Sequence, residues 1–376
     1  MVRRVMRLWT GIMVVAALSA LAGCSNFFIP PDNGGGGGGS TTGNTVYVAN
    51  STNSTLAGFT VGTGTLTAIA NSPLTLGYAP VAAVTTPSNS FLYVAGPGAI
   101  YAYPINANGS LTVSSSGAAV AIVDVAAMAI SPDGNWLFGL DTATTVVDQF
   151  QINTSTGALT SVAATPYSVT TGVVVPRAIR VSPNGTLVFA ALGTGGDVIF
   201  TFNTTSGVLA SSQTLAPVAT TSDNGVAINS TTTALYIARS GTGGGVAAFN
   251  IGAAGALTSV TGSPFAAGTG TTDVVIDSTG KYVYAANRTD GTISGFTIGT
   301  TGGLTGLTGS PYASGAQVIS LGIDMSGKYL LAAAFGGSPD LSMYSFDAVT
   351  PGKLDLATST ATGTGTQGAI AVALTH

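Results

Sequence analysis

TVYVAN, at residues 45–50, is a short run of β-branched and aromatic residues beside Ala that returns six more times along the chain. The further copies are FLYVAG at 91–96, WLFGLD at 136–141, LVFAAL at 187–192, ALYIAR at 234–239, YVYAAN at 282–287 and YLLAAA at 329–334. Six steps separate Tyr47 from Leu331, so the mean spacing is about 47 residues. Each copy has the composition of a β-strand, and a period of ~40–50 residues is typical of a four-stranded propeller blade.

Each repeat has the same internal order. A small apolar run such as AAMAIS at 126–131 is followed by a turn such as Pro132-Asp133-Gly134, and then by the TVYVAN-type strand. A third strand follows, as in GFTV at 58–61, and then a turn such as TGTLT at 63–67. The fourth strand is irregular and often reaches a triplet such as Ser263-Pro264-Phe265. Gly and Asn favour tight turns, and no helical period intervenes. The pattern predicts an all-β fold, a seven-bladed propeller of four-stranded antiparallel blades.

The two ends of the repeat region complement each other. The first repeat, at 45–76, lacks a first strand, and the tail QGAIAVALT at 367–375 reads as a first strand with nothing after it. The C-terminal strand is therefore expected to join the N-terminal blade and close the ring, which leaves no open blade face. An open solenoid or a pair of sandwiches would not require this match.

The composition excludes several classes of protein. Charged residues make up 6% of the chain, the formal net charge is −4, and no Glu is present. An average soluble domain has roughly 25% charged residues, so long helices with Glu–Lys pairs are not expected. Nothing in the chain is basic enough to hold a phosphate backbone, so no nucleic-acid partner is expected.

The N-terminus predicts export. Arg3, Arg4 and Arg7 precede an apolar stretch that is short for a membrane span but long enough for a signal peptide. The stretch ends in Leu-Ala-Gly-Cys at 21–24, which resembles the lipobox of bacterial lipoproteins. Residues 1–23 are therefore expected to be removed and Cys24 to be lipidated, and Ser25 after it favours the outer membrane.

A tether is expected between the lipid and the folded part. Residues 24–44 contain two prolines and a run of six glycines, and Gly-rich chain is a flexible coil. The folded domain is then 45–376, and its membrane contact is made through the lipid on Cys24. Because Cys24 is the only Cys, the domain can form no internal disulfide.

The turn before each second strand, the aromatic-x-aliphatic third strand and the G-x-L-T turn resemble the seven-bladed lactonase family, which includes enzymes similar to 6-phosphogluconolactonases. The resemblance covers residues 45–376 and implies both the propeller and a lactone hydrolase. It also implies a site with a His in a Pro-His pair, a Glu and several Arg at one mouth of the channel. Here the matching segment is PRAIRVSPNG at 176–185, with Arg177 in place of the His, and the chain has no Glu.

Other catalytic and metal sites find little support. The only His is His376, the last residue, which is expected to be frayed and to take no part in a triad. With one His and one Cys, no zinc site is expected, no calcium loop motif is present, and no cofactor is predicted. Asp273 and Asp277 flank one first strand, and Asp277 is expected to lie at the turn in solvent.

The residues that begin the seven first strands should surround one mouth of the channel. The polar ones are the candidate ligand-binding residues, namely Arg177, Asp223, Asn224, Asp273, Gln317 and Gln367. Such a ring suits a small polar ligand, although a hydrated mouth without a ligand is the simpler interpretation. The predicted function is a lipid-anchored propeller that binds an envelope protein, a glycan or a small polar ligand; the alternative is a lactonase-family hydrolase acting on a sugar lactone or related ester.

Overall fold

A computed structural model of the chain describes residues 43–113, 117–169, 171–365 and 368–376. The predicted signal peptide, Cys24 and nearly all of the predicted tether lie outside the described residues. The described residues include 29 strands, and Ala253–Gly255 form a 3₁₀ turn. The strands are β1 (Thr45–Asn50), β2 (Thr55–Val61), β3 (Leu66–Ala68), β4 (Leu74–Thr75), β5 (Ala82–Thr85), β6 (Phe91–Gly96), β7 (Ala99–Pro104), β8 (Val125–Ile130), β9 (Trp136–Asp141), β10 (Val146–Ile152), β11 (Leu159–Pro166), β12 (Ala178–Val181), β13 (Leu187–Ala191), β14 (Asp197–Phe202), β15 (Leu209–Leu215), β16 (Thr221–Ile228), β17 (Ala234–Gly241), β18 (Gly245–Ile251), β19 (Leu257–Ser259), β20 (Thr271–Ile276), β21 (Tyr282–Asn287), β22 (Thr292–Ile298), β23 (Leu304–Gly306), β24 (Tyr312–Ala313), β25 (Val318–Ile323), β26 (Tyr329–Ala334), β27 (Leu341–Phe346), β28 (Leu354–Thr360) and β29 (Ala369–Leu374).

The strands form seven antiparallel sheets, which are the blades of a propeller. Blade 1 contains β29 and β1–β4, blade 2 β5–β7, blade 3 β8–β11, blade 4 β12–β15, blade 5 β16–β19, blade 6 β20–β24 and blade 7 β25–β28. The first strands of successive blades contact one another in a closed order, from β29 through β5, β8, β12, β16, β20 and β25 back to β29. The predicted seven-bladed, all-β fold is confirmed.

The ring closes as the sequence predicts. β29 pairs antiparallel with β1, so that Val46 lies opposite Leu374 and Val48 opposite Val372. The Thr375 hydroxyl accepts a 2.8 Å hydrogen bond from the backbone N–H of Thr45. The last strand of the chain is therefore the innermost strand of the first blade.

The last residue is more firmly held than the sequence suggests. The side chain of Asn89 donates to the His376 carbonyl and accepts from the His376 N–H, both at 2.8 Å. The expectation that His376 is frayed was wrong, because a residue remote in sequence satisfies both of its backbone polar groups.

The outer strands depart from the regular four-stranded pattern. In blades 1 and 6 the outermost strand is split into two short pieces, and blade 2 has three regular strands among the described residues. A Ser-Pro pair lies at the break, and the Ser hydroxyl accepts a third-strand N–H. Ser72 accepts from Gly58 at 2.8 Å and Ser310 accepts from Gly295 at 2.9 Å. The serine thus replaces the strand carbonyl that the break removes.

The blades are joined by buried tyrosines of the second strands. Each hydroxyl donates to the carbonyl of a glycine in the outer hairpin of the next blade. The pairs are Tyr47–Gly109 at 2.7 Å, Tyr93–Gly157 at 2.9 Å, Tyr236–Gly302 at 3.1 Å and Tyr284–Gly352 at 2.6 Å. All four tyrosines have no exposed surface, so each contributes both apolar burial and a satisfied hydrogen bond to the seam between two blades.

Aspartates stabilise the turns between first and second strands. Asp277 accepts hydrogen bonds from the backbone N–H groups of Lys281 and Tyr282 at 2.8 and 2.7 Å. The expectation that Asp277 is solvated was wrong, since its exposure is 4% and the turn encloses its carboxylate. Asp324 repeats the arrangement in blade 7 with Lys328 and Tyr329.

None of the described residues forms a helix that is long and apolar enough to cross a bilayer.

Candidate functional site

A cavity of about 580 Å³ lies on the propeller axis and is lined by first strands. Its volume is within the ~300–1,000 Å³ that is usual for small-molecule sites. Much of the wall is Ala, Val, Ile and Leu, as in residues 82–84 of blade 2 and 370–374 of blade 1. The charged side chains in the lining are Asp124, Arg177, Arg180, Asp273 and Arg288.

Three arginines reach the cavity from two blades. Arg177 immediately precedes β12, and its exposed side chain is placed by a 3.0 Å backbone hydrogen bond to Ala191. Arg180 lies within β12, and its Nε has no hydrogen-bond partner among the described residues. Arg288 follows β21, donates to the Gln317 side chain at 3.1 Å and lies 6.0 Å from the centre of the Phe335 ring. Donors of this kind are suited to a carbonyl oxygen or a carboxylate.

Asp273 supplies a buried carboxylate to the same cavity. Its exposure is 8%, its Oδ1 accepts from the Val274 N–H at 2.9 Å, and its Oδ2 accepts from the Leu321 N–H at 2.8 Å. Burial raises the pKa of Asp273, while Arg180 and the two backbone donors partly oppose the rise. The carboxyl is fixed in place, and each oxygen keeps a lone pair for a further donor.

A bulge in β16 separates the two neighbouring candidates of blade 5. Asn224 lines the cavity, and its amide donates to the Thr271 carbonyl of blade 6 at 3.0 Å. Asp223 has 2% exposure and faces away from the cavity, where Arg239 binds it with two hydrogen bonds of 2.6 and 2.8 Å. The register shift between Asp223 and Gly225 explains why adjacent residues point to different environments.

The remaining candidates fall at different places. Gln317 lies near the same mouth, where it is exposed and bound to Arg288, but it does not line the cavity. Gln367 lies outside the described residues. Three charged lining residues were missing from the predicted set, namely Asp124, Arg180 and Arg288. The repeat pattern could have located Asp124 and Arg288, which lie next to the mouth ends of β8 and β21, whereas Arg180 lies inside β12.

The positive side chains are segregated by type between the two ends of the propeller. Seven Arg occur in the sequence, three of them in residues 1–7, and the other four lie at the cavity-mouth end. Lys281 and Lys328 lie in the turns between first and second strands, and Lys353 in an outer hairpin, all at the opposite end. The guanidinium groups are therefore concentrated where the axial cavity opens.

The arrangement suits acid–base and electrostatic chemistry on a small molecule. Among the described residues, no group of three or more His, Cys or Asp side chains is placed to hold a metal ion. The site offers guanidinium donors that can stabilise an oxygen gaining negative charge, and one buried carboxylate that can accept a proton.

Comparisons with known structures agree with the fold. A candidate 6-phosphogluconolactonase from Bacteroides uniformis is 20% identical, with a TM-score of 0.73 over 88% of this chain and 99% of that chain. A second from Bacteroides fragilis is 20% identical, with a TM-score of 0.71 over 91% and 100%. The periplasmic gluconolactonase of Pseudomonas aeruginosa is 14% identical, with a TM-score of 0.66 over 89% and 99%. Identities this low show a shared fold.

No curated protein sequence matches the chain. The family model described as "Lactonase, 7-bladed beta-propeller" matches residues 111–223, 200–308 and 226–371. These overlapping matches run over most of the repeat region, including the strands that carry Arg177, Arg180, Asp273 and Arg288. The chain belongs to the seven-bladed β-propeller lactonase family.

Proposed function

We propose that the protein is a hydrolase that opens a small lactone or related ester at the mouth of the axial cavity. The observation that carries the proposal is the meeting of Arg177, Arg180, Arg288 and Asp273 in one cavity of about 580 Å³. Family membership supports the same reaction class. Fold alone would not assign an activity, so the argument rests on these four side chains.

The arginines would bind the acyl end of the substrate. Attack of water on a lactone turns the carbonyl oxygen into an oxyanion, and the product is a carboxylate. Guanidinium donors bind both charged species more strongly than the neutral carbonyl, which lowers the barrier to attack. Arg180 suits this role because its Nε is buried without a partner. The exposed Arg177 and Arg288 would orient the substrate at the rim.

Asp273 would act as the general base. Burial raises its pKa, and a carboxylate that is more basic than usual accepts a proton from water more readily. In the reaction, Asp273 takes a proton from water while the water oxygen bonds to the acyl carbon. The ring C–O bond then breaks, and the proton passes to the departing alkoxide oxygen. The product is a hydroxy acid, with no redox change.

The test is hydrolysis of a lactone panel by the purified protein. General-base catalysis contributes ~10²–10⁴-fold, so Asp273→Asn should lower kcat by at least about 100-fold. Arg180→Met should lower kcat, and Arg177→Ala should mainly raise KM. Lys281→Ala is the matched control, because it removes a positive charge at the opposite end. Absence of turnover on every lactone, or full activity in Asp273→Asn, contradicts the proposal.

Non-catalytic binding is the second candidate function. It is favoured by the sequence of the site, which has Arg177 where the resembling family has a His, in a chain without Glu. Calorimetry with lactones and their hydroxy acids separates the two candidates. Binding that Arg177→Ala weakens, without turnover, supports a binding module for a small polar ligand, a glycan or an envelope protein.

We further propose that the protein is an exported lipoprotein of the outer membrane, which favours an unphosphorylated lactone as substrate. The chain enters the propeller at the end opposite the arginines, where the Asn44 side chain donates to Asp324 at 2.6 Å. A lipid on Cys24 would attach to the end of the protein that lies away from the cavity mouth. Cys24→Ser should move the protein from the membrane fraction to the soluble fraction; unchanged fractionation contradicts lipidation.

A further inference from the structure

Three charged side chains are buried together at the seam between blades 4 and 5. Asp197 begins β14, Asp223 lies in β16 and Arg239 lies in β17. Their exposures are 4%, 2% and 6%. Charged residues are almost never buried to this degree without complete pairing, so the pairing within the cluster decides its protonation state.

The pairing is unequal. Arg239 donates through Nε and one terminal nitrogen to both oxygens of Asp223, at 2.6 and 2.8 Å. Both oxygens of Asp197 are buried and accept no hydrogen bond among the described residues. With one cation for two carboxyl groups, ionised Asp197 would be a buried anion next to a second anion. Such a state is costly, whereas a neutral carboxylic acid can donate a hydrogen bond to Asp223.

The electrostatic environment agrees with this geometry. Burial raises the pKa of Asp197 well above its usual value, and the neighbouring Asp223 raises it further. Arg239 opposes these effects but is already bound to Asp223. The charged groups that face Asp197 from the neighbouring strands are thus one anion on β16 and one cation on β17.

The cluster lies directly behind the cavity mouth. Asp223 exchanges backbone hydrogen bonds with Gly193 of blade 4, at 3.0 and 3.2 Å, and these bonds join the two blades. The next residue is Asn224, which lines the cavity. A change in charge at Asp197 would therefore act on the backbone that places Asn224.

We propose that the Asp197 carboxyl is protonated in the folded protein, and that its ionisation at higher pH loosens the seam between blades 4 and 5 beside the cavity mouth. The seam is then a pH-sensitive element, closed in acid and more open in base. The proposal does not depend on the identity of a substrate.

The sign of the effect follows from linkage. A carboxyl whose pKa is raised by folding keeps its proton in the closed state and loses it in the open state. The contribution of Asp197 to stability is therefore complete below its unfolded pKa of about 4 and is lost as pH rises to its folded pKa. Within that window the opening equilibrium constant should rise by up to tenfold per pH unit, and above it the constant should level off.

The test is hydrogen exchange at the Gly193 and Asp223 amides as a function of pH, corrected for intrinsic exchange rates. The wild type should show the rise, and Asp197→Asn should abolish it, because its side chain stays neutral. Asp340→Asn is the matched control, since Asp340 is also a buried aspartate (3% exposed) but accepts two hydrogen bonds from Thr362. In that control the opening equilibrium constant should rise with pH as it does in the wild type.

If the opening equilibrium constant rises equally with pH in the wild type and in Asp197→Asn, the proposal is overturned. If Asp197→Asn does not fold, Asp197→Leu tests the same point without a polar group. A flat pH profile at Gly193 in the wild type also overturns the proposal, with no variant needed. None of these readouts depends on turnover, so a failed lactonase assay and a failed seam test are distinguishable.

Discussion

Replacing Tyr284 by Phe tests the contribution of the hydrogen bonds that join the blades. The Tyr284 hydroxyl has no exposed surface and donates to the Gly352 carbonyl of blade 7 at 2.6 Å. The substitution removes the donor and keeps the ring, so apolar burial changes little. It leaves a buried carbonyl without its partner, which costs about 1–3 kcal/mol. We expect the free energy of unfolding to fall by that amount.

The assay is equilibrium unfolding in urea with linear extrapolation, and the slope should not change because the surface exposed on unfolding is the same. Tyr282→Phe is the matched control. The Tyr282 ring packs on the same Gly352, but its hydroxyl makes no hydrogen bond among the described residues. If Tyr284→Phe loses less than about 0.5 kcal/mol, or no more than Tyr282→Phe, the hydrogen bond does not stabilise the seam and the prediction is refuted.

Three further predictions concern the glycines and the end of the chain. Gly157→Ala should destabilise the protein more than Gly64→Ala does in the same urea assay. Both glycines have positive φ, near 70°. A new Cβ at Gly157 would lie 2.6 Å from the Phe91 ring, whereas a new Cβ at Gly64 would meet nothing within 4 Å. Deletion of residues 369–376 removes the innermost strand of blade 1, so limited proteolysis should cut that blade first; a variant as resistant as the wild type contradicts the closure. Burial lowers the pKa of His376 to about 4, so stability should fall as pH falls from about 6.5 to about 4, and His376→Gln should lose this dependence; an unchanged acid profile contradicts it.

The seven-bladed ring could be predicted from the sequence because one strand pattern recurs at a nearly regular spacing. Seven copies of one apolar strand pattern, a missing first strand at one end and a spare one at the other determine the blade number and the closure. The contacts between blades could not be predicted in the same way. The Tyr47–Gly109 and Tyr284–Gly352 bonds join residues more than 60 positions apart, and nothing local in either segment specifies the partner.

The site was partly predictable. Reasoning from the starts of the first strands located Arg177, Asn224 and Asp273, all of which line the cavity. It missed Arg180, which lies inside β12. It also placed Asp223 in the mouth, although the bulge at Asn224 turns Asp223 toward Arg239. The bulge inserts one residue into β16, and no sequence signature marks it here. The sequence therefore could not show which side chains near the bulge face the cavity.

Charged residues are scarce in this chain, so the positions of the few arginines are informative. In a chain with 6% charged residues, the surface is solvated by hydroxyl, amide and backbone groups, and solubility gives no reason to place guanidinium groups at one end. The blades do not need arginines for strand pairing either. At the position that Arg239 occupies in blade 5, five of the other six blades have a neutral residue and one has an Asp. Of the four arginines of the propeller, three line one cavity and the fourth neutralises an aspartate directly behind it. Packing and solubility do not account for the three arginines that line the cavity, whereas the proposed ligand, which carries or develops negative charge, would account for them.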